Sequence, residues 1–323
     1  MGVFTDVSLE EARSFAADYD EGPLEALEGV PAGSVNSNFR ANFAGKALFL
    51  RVYEEQGPDG AAREADLLRT LVGEGVATPA PLARRDGKTL GTLAGKPAAL
   101  FPWTAGSIRC QASVRGPDLA EVGRQLARIH AASDRLPQNP GRFGEPQLRE
   151  RIARIALAKD PALAAMAPVL ARDLDHVARR VASEPGDQGL VHGDLFRDNV
   201  LWSHPAEPKL AALLDFESAS RGSFAFDAMV TVLAWCFGSA FEPDLARAFF
   251  RGYQEVRPLS PADRRALPGQ GRFAALRFTI TRITDYAMRE TTGPRVVKDW
   301  RRFRERFDAL ADFERDPGFD SLF

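Results

Sequence analysis

The stretch Leu190-Val191-His192-Gly193-Asp194-Leu195-Phe196-Arg197-Asp198-Asn199-Val200-Leu201-Trp202 constrains this chain more than any other. An apolar pair leads in and an apolar triplet leads out, with a histidine, two aspartates and an asparagine between them. A further acid, Asp215, closes the apolar run Leu210-Ala211-Ala212-Leu213-Leu214. The segment His204-Pro205-Ala206-Glu207-Pro208-Lys209 is turn chemistry, so 200–202 and 210–214 read as the two strands of a hairpin. Such a hairpin carries Asn199 at one foot and Asp215 at the other. Two oxygen ligands then stand where a hard cation such as Mg2+ can sit, with the Asp194 carboxylate nearby.

This pattern resembles the protein-kinase catalytic loop, H-R-D-x-x-x-x-N, followed by D-F-G. Here His192-Gly193-Asp194 precedes Asn199, and Asp215-Phe216-Glu217 follows. Gly193 in place of the arginine is similar to the aminoglycoside phosphotransferase and choline kinase branch. The resemblance implies an α+β, bilobal protein-kinase-like fold. An N-terminal antiparallel sheet lobe with one main helix, 1–103, would bind nucleotide. A larger, mostly helical C-terminal lobe, 104–323, would hold the catalytic loop and the acceptor. It implies Asp194 as the catalytic group, Asn199 and Asp215 as metal ligands, and ATP with Mg2+ as cofactors. His192 and Asp227 are expected as structural support, Asp227 as the cap of an apolar helix over 228–237 that can hold the catalytic loop.

The 323 residues suffice for two such lobes. With a net charge of -2 the chain presents no basic field, so neither nucleic acid nor an anionic membrane is expected as a partner. The partners expected are ATP and a small-molecule acceptor. Cys110 and Cys236 have no metal-ligand spacing and read as reduced thiols of a cytoplasmic protein. The N-terminus lacks a basic region before an apolar run, and the longest apolar run falls well short of a membrane span of about 20 residues. A cytoplasmic location is the expectation.

In the first lobe, Ser8-Leu9-Glu10-Glu11 is a capping box opening a short helix, and 24–30 reads as the first strand. The small, polar Gly33-Ser34-Val35-Asn36-Ser37-Asn38 leads into a hairpin over 39–43 and 47–53. Its amides and hydroxyls suit phosphate oxygens, which makes Ser34, Asn36, Ser37 and Asn38 nucleotide-binding candidates. A helix over 61–72 follows, with Glu64 on it. Kinases pair a strand lysine with a glutamate on the next helix, and here Arg51 occupies the lysine's place. Arginine grips phosphate with a planar fork, so the exchange is not neutral. The apolar strand 97–103 falls where kinases carry the hinge, making Leu100 and Phe101 candidates for the adenine edge.

The second lobe reads as helices over 118–132, 148–157, 161–181, 245–256 and, after a Pro268-Gly269 break, 273–289. His130 is read as a packing residue. The mixed charges of 298–315 are read as a solvated helix. Between Asp215 and Asp227 there is no room for a protein kinase's activation segment ending in A-P-E, so the acceptor is expected to be a small molecule.

Nearly end to end the chain resembles the bacterial homoserine kinases of the aminoglycoside-phosphotransferase-like type. The residues that carry this include Gly29-Val30-Pro31-Ala32-Gly33-Ser34-Val35-Asn36-Ser37-Asn38-Phe39, Asp86-Gly87-Lys88-Thr89-Leu90-Gly91-Thr92-Leu93 and Gly252-Tyr253-Gln254-Glu255-Val256-Arg257-Pro258-Leu259. The run Leu195-Phe196-Arg197-Asp198-Asn199-Val200-Leu201 is the most specific of them. The implied reaction is ATP plus L-homoserine to O-phosphohomoserine and ADP. Gly193, Asp215-Phe216-Glu217-Ser218-Ala219 and Leu233-Ala234 depart from that family's pattern on the acceptor side. Homoserine needs a cation for its carboxylate and an acid for its ammonium, and Asp198, Glu217, Arg282 and Asp285 are the acceptor-binding candidates. Glu217 suits a cationic acceptor, which keeps an aminoglycoside, choline or sugar kinase open, and beside it a catalytically silent nucleotide-binding protein.

Overall fold

The structure, a computed structural model, describes residues 4–31, 35–135, 141, 143–203, 208–289, 298–313 and 317–323. In chain order the first elements are α1 (Leu9–Ala16), β1 (Leu24–Gly29), β2 (Ser37–Phe43), β3 (Lys46–Val52), α2 (Pro58–Gly73), β4 (Gly91–Leu93) and β5 (Lys96–Pro102). Then come α3 (Gly116–Ala131), α4 (Glu145–Ala156), α5 (Pro161–Ala164), α6 (Ala167–Ser183), β6 (Gln188–Val191), β7 (Val200–Trp202), β8 (Leu210–Leu213) and β9 (Ser220–Ser223). The chain ends with α7 (Phe224–Trp235), α8 (Pro243–Gln254), α9 (Pro261–Arg282) and α10 (Arg301–Phe313). The fold is α+β. It divides into one unit of Met1–Ile108, Arg135–Pro137 and Val200–Glu217, and a second of Arg109–Asp134, Gln138–Asn199 and Ser218–Phe323.

In the first unit an antiparallel sheet runs β1-β2-β3-β5-β4. Strand side chains alternate between faces, and here the two faces differ in kind. Phe39, Ala41 and Phe43 of β2, Leu48, Leu50 and Val52 of β3, and Ala98 and Leu100 of β5 pack with Ala12, Phe15 and Ala16 of α1 into one core. α1 begins where the sequence sets it, with Ser8 and Glu11 closing a reciprocal capping box. The intervening positions, Asn38, Arg40, Phe49, Arg51, Ala99 and Phe101, belong to the opposite face, which is polar, cationic and aromatic. β7 and β8 form their own antiparallel pair with Val200 opposite Leu213.

In the second unit α7 is buried from Ala228 to Trp235, apolar there except for Thr231, the pattern of a helix enclosed on every side. α3 and α8 cross at two glycines. A Cβ on Gly252 would stand 1.9 Å from the Ala120 carbonyl oxygen, and one on Gly123 2.3 Å from that of Phe249. Only residues without a Cβ permit this approach.

Three expectations change. The helix over 161–181 is two, because Pro168 in the first turn of α6 cannot continue a helix from α5. Pro268 does not break α9, which runs through it for 22 residues. There the packing of Ala274, Leu276 and Ile280 in the core outweighs one missing N–H. The 298–315 helix is not merely solvated, since Phe303, Phe307 and Leu310 of α10 are buried.

Candidate active site

β6 delivers the catalytic-loop sequence, with Val191 paired to Ser220 of β9. The loop is then tied at several points. The amides of His192 and Gly193 donate to the two carboxylate oxygens of Asp227 at 2.6 and 2.7 Å. Gly193 has φ +76, and a Cβ there would lie 3.0 Å from the Ser218 carbonyl oxygen. The Asp194 amide donates to His192 Nδ1 at 3.3 Å, Asn199 Nδ2 donates to the Asp194 carbonyl at 2.8 Å, and Trp235 Nε1 donates to the Leu195 carbonyl at 3.0 Å. Buried backbone donors and acceptors are thereby satisfied outside regular structure. The Asp194 side chain is 28% exposed, open enough to meet a ligand.

Asp227 is not the cap of its helix. Ser223 occupies that position and Asp227 lies within the first turn. Its carboxylate, fully buried, spends its oxygens on the loop amides and on His130 Nε2 at 3.1 Å. Burial opposes its charge, but the hydrogen bonds from His130 and from the Gly193 amide outweigh it and hold its pKa below the ordinary carboxylate value. Burial pushes the His130 pKa down despite Asp227. The hydrogen bonds fit a neutral imidazole. Arg257 Nη1 donates to the Tyr253 hydroxyl at 3.2 Å, the hydroxyl donates to His130 Nδ1 at 2.7 Å, and Nε2–H is left for Asp227.

Next to the loop stands a residue that local sequence did not mark. Arg277 of α9 is buried, its guanidinium carbon 4.0 Å from the Phe143 ring and 3.8 Å from that of Phe278. Its Nη1 is 3.7 Å from Asp194 Oδ1. No short-range spacing links α9 to the loop, so only the tertiary fold reveals the pair.

In the first unit, Arg51 Nη1 donates to Glu64 Oε1 at 3.0 Å, and Gln56 Nε2 donates to the other Glu64 oxygen at 2.9 Å. Burial would lower the Arg51 pKa, but the charges of Glu64, Tyr53, Glu217 and Asp215 keep it above its ordinary value. Its guanidinium also lies 5.6 to 5.9 Å from the rings of Phe101, Phe49 and Tyr53. Asn38 is paired in the ladder with Arg51. Asp215 has φ +63, a strained conformation for a residue with a side chain, of the kind that clusters at functional sites. In sequence Asn199 immediately precedes Val200 and Asp215 follows two places after Leu213, so both flank the same end of the β7–β8 ladder.

Several candidates are engaged elsewhere. The Ser37 hydroxyl accepts from the amides of Phe4 and Thr5 at 2.7 and 2.9 Å and donates to Glu54 at 2.5 Å. That fills a hydroxyl's one donor and two acceptor sites, so Ser37 ties the frame together and is not left for phosphate. Asn36 accepts from the Glu54 amide at 3.1 Å and donates to Glu217. Glu217 therefore meets the first unit's own loop. Leu100 is in the sheet core, and its carbonyl accepts from the Leu82 amide at 2.8 Å, whereas Phe101 sits on the opposite face beside Phe49. Asp285 is bonded to Arg151 at 2.5 Å and to Thr284 at 2.9 Å, which takes it away from the loop. Asp198 is exposed, with Lys298 Nζ 3.8 Å away. Arg282 Nη1 donates to the Asp299 carbonyl at 2.9 Å. Ser34 lies outside the described residues.

A family model described as "Phosphotransferase enzyme family" matches residues 26–259. The spectinomycin phosphotransferase crystallised with ADP and spectinomycin superposes with a TM-score of 0.71 at 13% identity, over 97% of this chain and 100% of that one. Amicoumacin kinase, solved in complex with AMP-PNP, Ca2+ and Ami, superposes at 0.68 with 15% identity, over 95% of this chain and 92% of its own. The chain belongs to the phosphotransferase enzyme family, with the protein-kinase-like fold of these structures, and is an ATP-dependent kinase that phosphorylates a hydroxyl. Within it, the homoserine kinase of Caulobacter sp. (strain K31) is 36% identical over 88% of this chain and 89% of its own length. That of Nitrobacter winogradskyi is 33% identical over 97% of both. Among the described residues no helix is long and apolar enough to cross a membrane.

Proposed function

We propose that this chain transfers the γ-phosphate of ATP to the side-chain hydroxyl of L-homoserine, yielding O-phosphohomoserine and ADP for threonine synthesis in the cytoplasm. The observation that carries the acceptor is the identity of 33 to 36% with homoserine kinases over most of both lengths. The cytoplasm suits two cysteines that form no disulfide.

Asp194 accepts or orients the proton of the acceptor hydroxyl. The ties from Asp227, His192 and Asn199 hold its backbone, so the carboxylate needs little reorganisation as the hydroxyl becomes a nucleophile. Arg277 stands beside it, its Nη1 3.7 Å from Asp194 Oδ1. Arg51, held by Glu64, offers its remaining donors to the nucleotide phosphates, with Asn38 alongside. Phe101 provides an aromatic surface toward the base. Asn36, Ser37, His192 and Asp227 keep these groups in place.

Mg2+ fits the residues present. Asn199 commits its amide nitrogen to the Asp194 carbonyl, which leaves its side-chain oxygen as a donor to metal. Asp215 offers a carboxylate, a hard oxygen donor of the same kind. Among the described residues no group of three or more His, Cys, Asp or Glu forms a cage, and Mg2+ needs none, since it completes its shell with water and substrate phosphates. When bound it neutralises charge on the phosphates.

Asp194→Asn tests the assignment. Turnover should fall by about a hundredfold or more while ATP affinity, read by calorimetry, stays within a few-fold. Wild-type turnover in this variant would remove Asp194 from the chemistry.

A further inference from the structure

Three arginines of the second unit, Arg197, Arg282 and Arg306, gather beside the catalytic loop, and among the described residues none of them is in an ion pair with a carboxylate. The guanidinium carbons of Arg282 and Arg306 lie 4.4 and 4.6 Å from the centroid of one ring, Phe303. Arg282 also stands 6.0 Å from the ring of Phe196, the residue before Arg197. Arg306 stands 5.3 Å from Phe237, just past the end of α7, and Arg197 Nη1 donates to the Ala234 carbonyl of α7 at 3.0 Å and to Gln111. The three groups thus sit among one set of aromatic side chains and the C-terminal end of α7.

Other partly buried arginines of this chain are paired: Arg51 with Glu64, Arg257 with Asp263, Arg304 with Asp173. Among the described residues Arg197, Arg282 and Arg306 form no such ion pair. Arg282 Nε is buried with no hydrogen-bond partner. Gathering like charges away from water is unfavourable unless an anion joins them. The cost is visible in the Arg306 pKa, pulled down to about 10 by burial and then by the charges of Arg282, Arg197 and Arg302. Burial first, and Arg302 as well, holds Arg197 and Arg282 below their ordinary values too. Arg282 meanwhile feels the charges of Asp194 and Asp198, which places the cluster within electrostatic reach of the catalytic carboxylate.

We propose that Arg197, Arg282 and Arg306 form a carboxylate subsite that holds the α-carboxylate of the acceptor while its hydroxyl meets Asp194. This rests on the homoserine reading and extends it. It makes the site selective for an amino-acid alcohol over the amino alcohol that lacks the carboxylate. The planar guanidinium forks match a carboxylate's two oxygens, and a site built for that group rejects a ligand without it, because its own donors are left unmet.

The test is steady-state kinetics of the full-length wild type, Arg282→Gln and Arg306→Gln, each with L-homoserine and with 3-amino-1-propanol, the same alcohol without the carboxylate. The quantity read is the ratio of kcat/KM for the two acceptors within one preparation, so loss of folded protein cancels. The wild type should favour homoserine strongly. In each variant that preference should fall by about tenfold to a hundredfold, chiefly through the KM for homoserine, and Arg306→Lys should recover part of it. An unchanged ratio in both glutamine variants, with homoserine still the wild-type substrate, would overturn the subsite alone. Wild-type turnover of 3-amino-1-propanol in preference to homoserine would overturn the functional reading and the subsite with it.

Discussion

Asp227→Asn changes one oxygen to an NH2 group and leaves the shape alone, so it isolates what the buried carboxylate does for the catalytic loop. One oxygen accepts from the His192 amide at 2.6 Å and from His130 Nε2 at 3.1 Å, and the other accepts from the Gly193 amide at 2.7 Å. An asparagine keeps only one acceptor oxygen. In its better orientation it retains His192 and His130 and sets its NH2 against the Gly193 N–H, two donors facing each other. The variant loses a hydrogen bond to a charged group and leaves a buried donor unmet, which together cost about 2–4 kcal/mol. For a chain of 323 residues that corresponds to a fall in Tm of roughly 3–6 °C. The strain falls on the residue preceding Asp194, so kcat should fall by about tenfold or more. The assay is thermal unfolding followed by circular dichroism, with ADP release measured on the same preparations. Asp175→Asn, which removes only an exposed contact with Arg149, serves as control and should change stability by less than about 1 kcal/mol. An Asp227→Asn protein that melts with the wild type and turns over normally would refute the claim that this carboxylate pins the loop.

Three further outcomes follow from the same geometry. Arg51→Met leaves the buried Glu64 with Gln56 as its remaining partner; it should raise the KM for ATP about tenfold or more and cost about 2 kcal/mol, discounted because Arg51 is partly exposed. His130 is held neutral by burial, while the unfolded imidazole takes a proton near pH 6.5, so its contribution to stability is full above about pH 6.5 and shrinks as pH falls. His130→Gln should therefore flatten the dependence of Tm on pH between about pH 7 and pH 5, and an unchanged slope would assign that dependence to other groups. Gly252→Ala drives a methyl into the Ala120 carbonyl at the α3–α8 crossing, for a loss of about 2–3 kcal/mol or more in denaturant unfolding.

Local chemistry made much of this molecule legible. The Ser8–Glu11 capping box, the alternation in β2 and β3 and the turn residues between β7 and β8 are short-range signals, and each element stands where its residues put it. The spacing of Asp194, Asn199 and Asp215 was readable because one loop and one hairpin carry all three. What escaped is what only packing decides. Pro268 reads as a break until α9 is placed against its neighbours, and Asp227 reads as a cap until its oxygens are seen on His192 and Gly193. Glu217 reads from its neighbours only as the residue two places after Asp215, and its hydrogen bond from Asn36, distant in sequence, is seen only in the fold. Arg277 and Arg306 carried no local signal: Arg277 meets Asp194 only because α9 folds onto the loop, and Arg306 meets Phe237 only because α10 packs near the end of α7.

The central claim is the acceptor, and the direct measurement is ADP release from ATP and Mg2+ by the full-length protein with L-homoserine, choline, a sugar panel and aminoglycosides in parallel. The account expects homoserine to be turned over with kcat/KM of about 10⁴ M⁻¹s⁻¹ or more, and the other acceptors to be slower by about a hundredfold or more. Silence on homoserine beside efficient turnover of choline, a sugar or an aminoglycoside would contradict it, leaving the phosphotransferase and replacing its substrate.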